Sequence, residues 1–470
     1  MADEQLAFTS ISQLGRLFRA QKVSPVELTQ LFLERIRRID PKLNAFITIC
    51  EESALLQAKR AEARFARRQR GKATRDPGPL HGIPLSLKDN LYTKDIRTTG
   101  GSKILLDFVP LHDAPVVSTL KNAGAVILGK TNMHEFAYGV TTDNPHFGAT
   151  RNPWDFERIP GGSSGGSAAA LAAGLCCGSM GTDTGGSIRI PSALCGVVGL
   201  KPGLGRVKAE GVIPLSVTLD FVGPLARTVE DVALLFDLVS VRGDREKPFK
   251  LSSRKRAFTF GIPKEFFFDV IDEQVSAAFE TAMKQLKKQG HKFKFVSLDH
   301  LQASEKAGND IAWAEATLYH QQAGWFPSRA SEYGDDVRSR LEMGTRVTAI
   351  DYLRAREIRE KFTASFHASL AENALDAIVV PTTPIPAPRI GEESTIINGS
   401  PYPTRSLLLR LNRPANLAGV PSITVPGGLT QQGLPIGVQF MTGWTDEPLL
   451  LEIAYVFERE CPLTARPELY

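Results

Sequence analysis

Apolar positions along this chain follow two different periods. After Ser24-Pro25-Val26-Glu27, residues Leu28, Leu31, Phe32 and Ile36 recur at helical spacing and form one apolar stripe. Ser24 can cap that helix, Pro25 suits a first turn whose N–H needs no partner, and Glu27 completes a capping box. A second helix is predicted over 51–70, where Ala and long side chains dominate. Further on come short Val/Ile runs at 125–128, 197–200, 377–380, 422–425 and 436–440. They lack polar alternation, as expected of strands buried on both faces.

Helical patterns at 228–239 and 274–290 fall between these runs, so the fold class is α/β, with a central sheet covered by helices. Two strands run into proline, at Val380-Pro381 and Val425-Pro426, and the chain is expected to leave the sheet there. Residues 299–366 are helical, polar and poor in strands. With no linker or repeat in sight, they read as an inserted helical layer. One domain over 1–470 is predicted, opening with a helical segment over 1–75.

With 470 residues, 42% of them hydrophobic, the chain can bury a large core, and a net charge of +5 is mild at this length. The densest basic stretch is Lys59, Arg60, Arg64, Arg67, Arg68, Arg70, Lys72 and Arg75. It is interleaved with Ala and Glu and has no aromatic stacking partners. It reads as the solvated face of a helix, and no nucleic acid is expected as a direct partner. The five cysteines are odd in number and form no C-x-x-C pair, which argues against a disulfide framework and against a zinc site. The first residues are acidic, without the apolar stretch of a signal peptide, and no run approaches the roughly 20 residues of a membrane span. A cytoplasmic protein away from membranes is expected.

Candidate chemistry concentrates in two glycine runs, Gly161-Gly162-Ser163-Ser164-Gly165-Gly166-Ser167 and Gly181-Thr182-Asp183-Thr184-Gly185-Gly186-Ser187. Ordering glycine is entropically costly, so such runs suit backbone whose N–H groups must approach a ligand. Ser187, after two glycines, can present its hydroxyl beside converging N–H donors, although a simple glycine turn would look the same. Ser163 and Ser164 formally match a G-x-S-x-G nucleophile elbow. That elbow needs a preceding strand, and residues 152–160 do not read as one. Lys88 follows Ile83-Pro84-Leu85-Ser86-Leu87, the pattern of a buried strand. A lysine buried there can lose its charge and act as a base. Lowering its pKa to about 7.5 would cost on the order of 4 kcal/mol, a cost expected only at a functional site.

From His81 to Pro202 the chain resembles the amidase signature family. The matching blocks are His81-Gly82-Ile83-Pro84 with Lys88-Asp89-Asn90, Gly129-Lys130-Thr131-Asn132, Arg151-Asn152-Pro153-Trp154, the two glycine runs, and Cys195-Gly196-Val197-Val198-Gly199-Leu200-Lys201-Pro202. Looser similarity continues through Asn416-Leu417-Ala418-Gly419-Val420-Pro421. The resemblance implies a large mixed, twisted sheet with helices on both faces. It also implies Lys88 as base, Ser187 as nucleophile, and Ser163 as the serine bridging them after a cis peptide bond from Gly162. The N–H groups of Thr184, Gly185, Gly186 and Ser187 would form the oxyanion hole. Ala137, Tyr138, Gly162 and Arg340 would contact substrate.

No metal or cofactor is implied. Leu409 stands where the family's glutaminase subunits hold an acid for the ammonium of glutamine, and Arg340 matches their carboxylate-binding arginine. The expected substrate is therefore a small apolar or aryl amide, or a carbamate, cleaved by a monomer or homodimer. Trp313, Phe326 and Trp444 are candidate aromatic contributors to the pocket. A glutaminase subunit of a tRNA-dependent amidotransferase is the alternative, and a catalytically silent binding scaffold is a further one.

Overall fold

The computed structural model describes residues 3–69, 76–241, 249, 251–252 and 256–469. Thirteen strands are found among them: β1 (Phe46–Ile49), β2 (Pro84–Lys88), β3 (Val126–Thr131), β4 (Gly178–Asp183), β5 (Val198–Lys201), β6 (Phe221–Ala226), β7 (Thr259–Pro263), β8 (Lys292–Val296), β9 (Ala377–Pro381), β10 (Ser394–Ile397), β11 (Ser400–Pro403), β12 (Ser422–Leu429) and β13 (Pro435–Met441). All but the β10–β11 hairpin join one 11-stranded sheet, in the order β1-β3-β2-β4-β6-β5-β12-β13-β9-β7-β8. The sheet is mixed. β2 runs parallel to β3 and β4, whereas β4–β6, β5–β12 and β12–β13 are antiparallel.

The strands nearest the glycine runs are buried along their whole length, as the apolar runs at 125–128 and 197–200 predict for β3 and β5; β4 carries no such run and is not foreseen from the sequence. Parallel pairing of β2 with β4 sets Leu87 opposite Met180, so the two strands end side by side. β9 stops at Pro381 as expected. β12 instead continues past Pro426 to Leu429, with a register shift between Pro426 and Gly428; an irregularity of this kind accommodates a residue that lacks an N–H.

The first predicted helix is observed as Pro25–Leu43, with both hydrogen bonds of the capping box: Glu27 N–H to Ser24 Oγ at 3.0 Å and Ser24 N–H to Glu27 Oε2 at 2.8 Å. The second spans Glu51–Gln69. Ala54, Ala58, Ala61 and Phe65 are buried on it, while Lys59, Arg60, Arg64 and Arg67 are exposed. That basic stretch is a solvated face where it is described; the side chains of Arg68, Arg70, Lys72 and Arg75 lie outside the described residues. Helices Val229–Val239 and Glu273–Lys288 start at the capping residues Thr228 and Asp272. Two short buried helices, Gly165–Ala172 and Arg189–Cys195, follow the two glycine runs and pack on the sheet. Within 299–366 lie Leu301–Gln322, Asp335–Gly344 and the start of Ala349–Glu372. Leu301–Gln322 packs on the short helix Arg413–Leu417, which forms one wall of the site described next.

Candidate active site

Lys88 is the last residue of β2 and is fully buried. Its Nζ lies 2.7 Å from Ser163 Oγ and 2.7 Å from Thr182 Oγ1, with Thr182 O at 3.4 Å. Asn90 Nδ2 also donates to Thr182 Oγ1, at 3.1 Å, and fixes that hydroxyl. Burial pushes the Lys88 pKa down to about 7, against the opposing pull of the Asp220 and Asp183 carboxylates. A substantial fraction is therefore the neutral amine at neutral pH.

This shift has a consequence for stability. An unfolded lysine titrates near 10.5, so between about pH 7 and 10.5 the unfolded chain binds the extra proton and stability rises with pH. From pH 7 to pH 9 this group contributes about 2 kcal/mol. Melting temperatures of the native protein and Lys88→Met at those two pH values test this. The native protein should gain on the variant as the pH rises; parallel trends would mean that Lys88 keeps an ordinary pKa. Lys130 is equally buried, but its Nζ is held by Leu91 O and Thr98 Oγ1, each at 2.7 Å, with Asp89 Oδ1 at 3.6 Å. It serves the fold.

The two serines of the first glycine run divide their work. The Gly162–Ser163 peptide bond is cis. Ser163 turns its hydroxyl to Lys88 while its carbonyl accepts from His134 N–H at 3.2 Å. Ser164 Oγ instead donates to Thr182 O at 3.2 Å, and its N–H donates to Ser187 O at 3.2 Å, so Ser164 ties the two glycine runs together. Gly162 must be glycine, because a Cβ there would stand 2.8 Å from the Val140 carbonyl carbon and 2.9 Å from the Thr141 and Thr142 nitrogens. Ser187 Oγ makes no hydrogen bond among the described residues and borders a cavity.

The loop that carries Ser187 is built around a buried ion pair. Arg189 grips Asp183 with Nε to Oδ2 at 3.0 Å and Nη2 to Oδ1 at 2.9 Å, and both side chains are fully buried. Arg189 also donates to Asn412 O, Gln439 Oε1 and Asn416 Oδ1. Asn416 Nδ2 returns a bond to Asp183 Oδ1 at 2.8 Å. Burial alone would raise the Asp183 pKa, but Arg189 and Asn416 hold it well below the usual carboxylate range.

Asp183 also accepts the N–H of Gly186 at 2.8 Å and that of Ile188 at 3.1 Å, which curls the loop. This corrects one expectation: Gly186 directs its N–H to Asp183, and its positive φ of 122° shapes the turn. Thr184, Gly185 and Ser187 keep N–H groups with no protein acceptor among the described residues. Thr184 Oγ1 is anchored on Asp220 Oδ1 at 2.5 Å, while Asp220 Oδ2 accepts from Leu215 and Ser216 N–H. Such free, fixed donors beside a serine hydroxyl can hold a developing oxyanion.

A narrow cavity of about 20 Å³ opens on Ser187, lined by Thr184, Gly185, Ala137, Tyr138 and Leu409, with Leu215 and Ala312 adding apolar surface. Ala137, Tyr138 and Leu409 are thus among the lining residues. Gly162 and Arg340 do not line it. Arg340 Nη1 donates to Asp336 Oδ2 at 2.8 Å and to the Tyr138 carbonyl, so it braces the Tyr138 segment from behind. Trp313 and Phe326 pack in the cluster around Phe136 and Tyr333. Trp444 is exposed and donates to Ala418 O. None of the three lines the cavity. Two lining residues, Arg405 and Arg413, are not foreseen from the sequence, because neither lies in a motif that marks it. The lining contains no acidic residue.

The Amidase family model matches residues 27–451. A glutamyl-tRNA(Gln) amidotransferase subunit from Carboxydothermus hydrogenoformans is 38% identical, over 99% of this chain and 100% of its own length. Among solved structures, an amidase superposes with a TM-score of 0.88 at 33% identity, covering 96% of this chain and 100% of that one. The peptide amidase of Stenotrophomonas maltophilia gives 0.82 at 31% identity, covering 98% of each.

Proposed function

The chain belongs to the Amidase family, and from that premise we propose that it hydrolyses the C–N bond of a small amide or carbamate through an acyl-enzyme on Ser187. The observation that carries this is the fully buried Lys88 amine, 2.7 Å from Ser163 Oγ and beside the loop of Ser187. Neutral Lys88 takes the proton of Ser163, Ser163 takes that of Ser187, and Ser187 Oγ bonds to the substrate carbonyl carbon. The carbonyl oxygen takes up negative charge facing the N–H groups of Thr184, Gly185 and Ser187. As the tetrahedral centre collapses, the C–N bond breaks and the relay returns the proton to the departing amine. Water, deprotonated by the same relay, then attacks the ester, and the acid leaves as Ser187 regains its proton.

Only unprotonated Lys88 can start this sequence. The kcat of an acylation-limited substrate is therefore expected to rise with pH, to be half-maximal near pH 7, and to level off above it. A flat profile between pH 6 and 9 would contradict the relay.

A second reading, the glutaminase component of a tRNA-dependent amidotransferase, is favoured by the 38% identity to a protein of that kind over 99% of the chain. The cavity favours the first. Glutamine would bring an ammonium, and burying that charge without a carboxylate is costly. Here the corresponding position is Leu409, and the charged lining residues are both arginines. The test is the purified chain alone, with Ser187→Ala as control, given glutamine, aliphatic amides, anilides and aryl carbamates while products are followed by mass spectrometry. Ser187-dependent cleavage of amides or carbamates with glutamine inert is the expected result. Glutamine hydrolysis, or silence until partner subunits are added, would establish the second reading.

A further inference from the structure

The cavity at Ser187 holds more positive charge and more unpaired donors than an apolar amide requires. Arg405 Nε is buried without a hydrogen-bond partner, and neither a hydrogen bond nor an ion pair holds any part of that guanidinium among the described residues. Arg413 is 6% exposed; its Nη1 donates to Asn309 Oδ1 at 2.5 Å, but its Nε is buried and unpartnered. Tyr138 Oη is the third buried donor without a partner. All three residues line the one cavity. Unsatisfied buried polar groups are rare because each forfeits its hydration without replacement. Three on residues that line one small space mark a ligand that supplies acceptors.

The electrostatics have the same sign. Burial, with the positive charges of Arg340 and then Arg413, brings the partly exposed Arg405 down to about 9, and burial, against the pull of Glu305 and Tyr138, brings Arg413 down to about 10. The nearby carboxylates are engaged elsewhere: Asp336 with Arg340 and His134, and Glu305 with Arg410. An anion would relieve both arginines at once, and a planar carboxylate fits the fork of a guanidinium.

Position fixes where that anion sits relative to the reacting carbonyl. A Cβ on Gly185 would lie 3.1 Å from Leu409 Cδ2 and 3.4 Å from Arg413 Nη2, so Arg413 borders the oxyanion loop itself. The Arg413 stem is pinned there by Gly308, where a Cβ would meet Arg413 Cδ at 2.5 Å. We infer that Arg405, Arg413 and Tyr138 form a carboxylate subsite, and that the substrate is a short amide bearing a carboxylate close to the scissile carbonyl. This rests on the reading of Ser187 as the amide-cleaving serine, and it replaces the wholly apolar substrate expected from Leu409 alone. Leu409, Leu215 and Ala312 then pack against the short carbon chain.

The carboxylate can belong to the acyl part, as in the monoamide of a dicarboxylic acid, or to the amine part, as in an N-acyl amino acid. Succinamate and N-acetylglycine separate these two cases, with butyramide and N-methylacetamide as uncharged counterparts. In the native enzyme, kcat/KM for one of the charged amides is expected to exceed its uncharged counterpart at least tenfold. Arg405→Met and Arg413→Met should each collapse that ratio at least tenfold, with Arg→Lys recovering part of it. Two measurements stand if the variants fold poorly: titration of succinamate and N-acetylglycine into Ser187→Ala, and competitive inhibition of the native enzyme by succinate but not by succinamide. Binding and inhibition of this kind support the subsite. Ser187-dependent cleavage of the uncharged amides with no preference for charge would overturn the subsite while leaving amide hydrolysis in place. Absence of Ser187-dependent cleavage of every amide, with no binding of either charged amide, would overturn both.

Discussion

Ser187→Ala is expected to reduce kcat for any amide this protein cleaves by at least about 10⁴-fold, down to the residual effect of binding and the oxyanion N–H groups. Lys88→Ala should fall nearly as far. The double variant should be no worse than either single one, because base and nucleophile act in one step and their losses do not add. In the proposed relay Ser163→Ala removes the hydroxyl that Lys88 Nζ meets at 2.7 Å, and it belongs with this group. Ser164→Ala is the discriminating control. Its hydroxyl donates to Thr182 O, a structural bond worth about 1 kcal/mol, so activity should fall far less. Steady-state kinetics of the four single variants read this directly, and a Ser164→Ala variant more impaired than Ser163→Ala would reverse the roles assigned to the two serines.

Arg189→Met carries the largest expected loss of stability, about 3–5 kcal/mol, because it strands the buried Asp183 carboxylate. The same carboxylate holds the N–H groups of Gly186 and Ile188, so the loop of Ser187 should loosen with it and activity should fall alongside stability. Arg189→Lys cannot rescue the site fully, since a point charge cannot serve Asp183, Asn412, Gln439 and Asn416 together. Pairing the change with Asp183→Asn removes the orphaned charge and should recover part of the loss, a coupling that chemical denaturation of the four proteins in this cycle can measure. A single Arg189→Met variant within about 1 kcal/mol of the native protein would show that the network is dispensable.

Local pattern marks Lys88 and the two glycine runs as candidates, while the roles of Lys88, Ser163 and Ser187 come from the resemblance to the amidase signature family. An apolar run leads into the lysine, and glycines free the backbone around the serines. β3, β5, β9, β12 and β13 were legible because both-face burial writes unbroken Val/Ile runs, whereas β4, rich in glycine and hydroxyl side chains, carries no such signal. What the sequence hides is long-range partnership. Asp183 meets Asn416, and Arg189 meets Gln439, only after the sheet has formed. Gly186 looks like any other donor of the loop until Asp183 is seen to hold it. Arg405 and Arg413 sit in 404–417 among leucines and look like ordinary helix-surface cations until the fold turns them onto Ser187. Arg340 shows the converse. Its local context matches a substrate-binding arginine, yet Asp336, one turn earlier on the same helix, claims its guanidinium.

The central claim is that Lys88 activates Ser187 through Ser163. It is tested most directly by the rate at which a fluorophosphonate labels the native protein between pH 5.5 and 9, with the modified residue located by peptide mass spectrometry. The account predicts a single adduct on Ser187, formed at a rate that rises through about pH 7 and is lost in Ser163→Ala and Lys88→Ala. An adduct on another residue, or Ser187 labelled equally fast without Lys88, would contradict it.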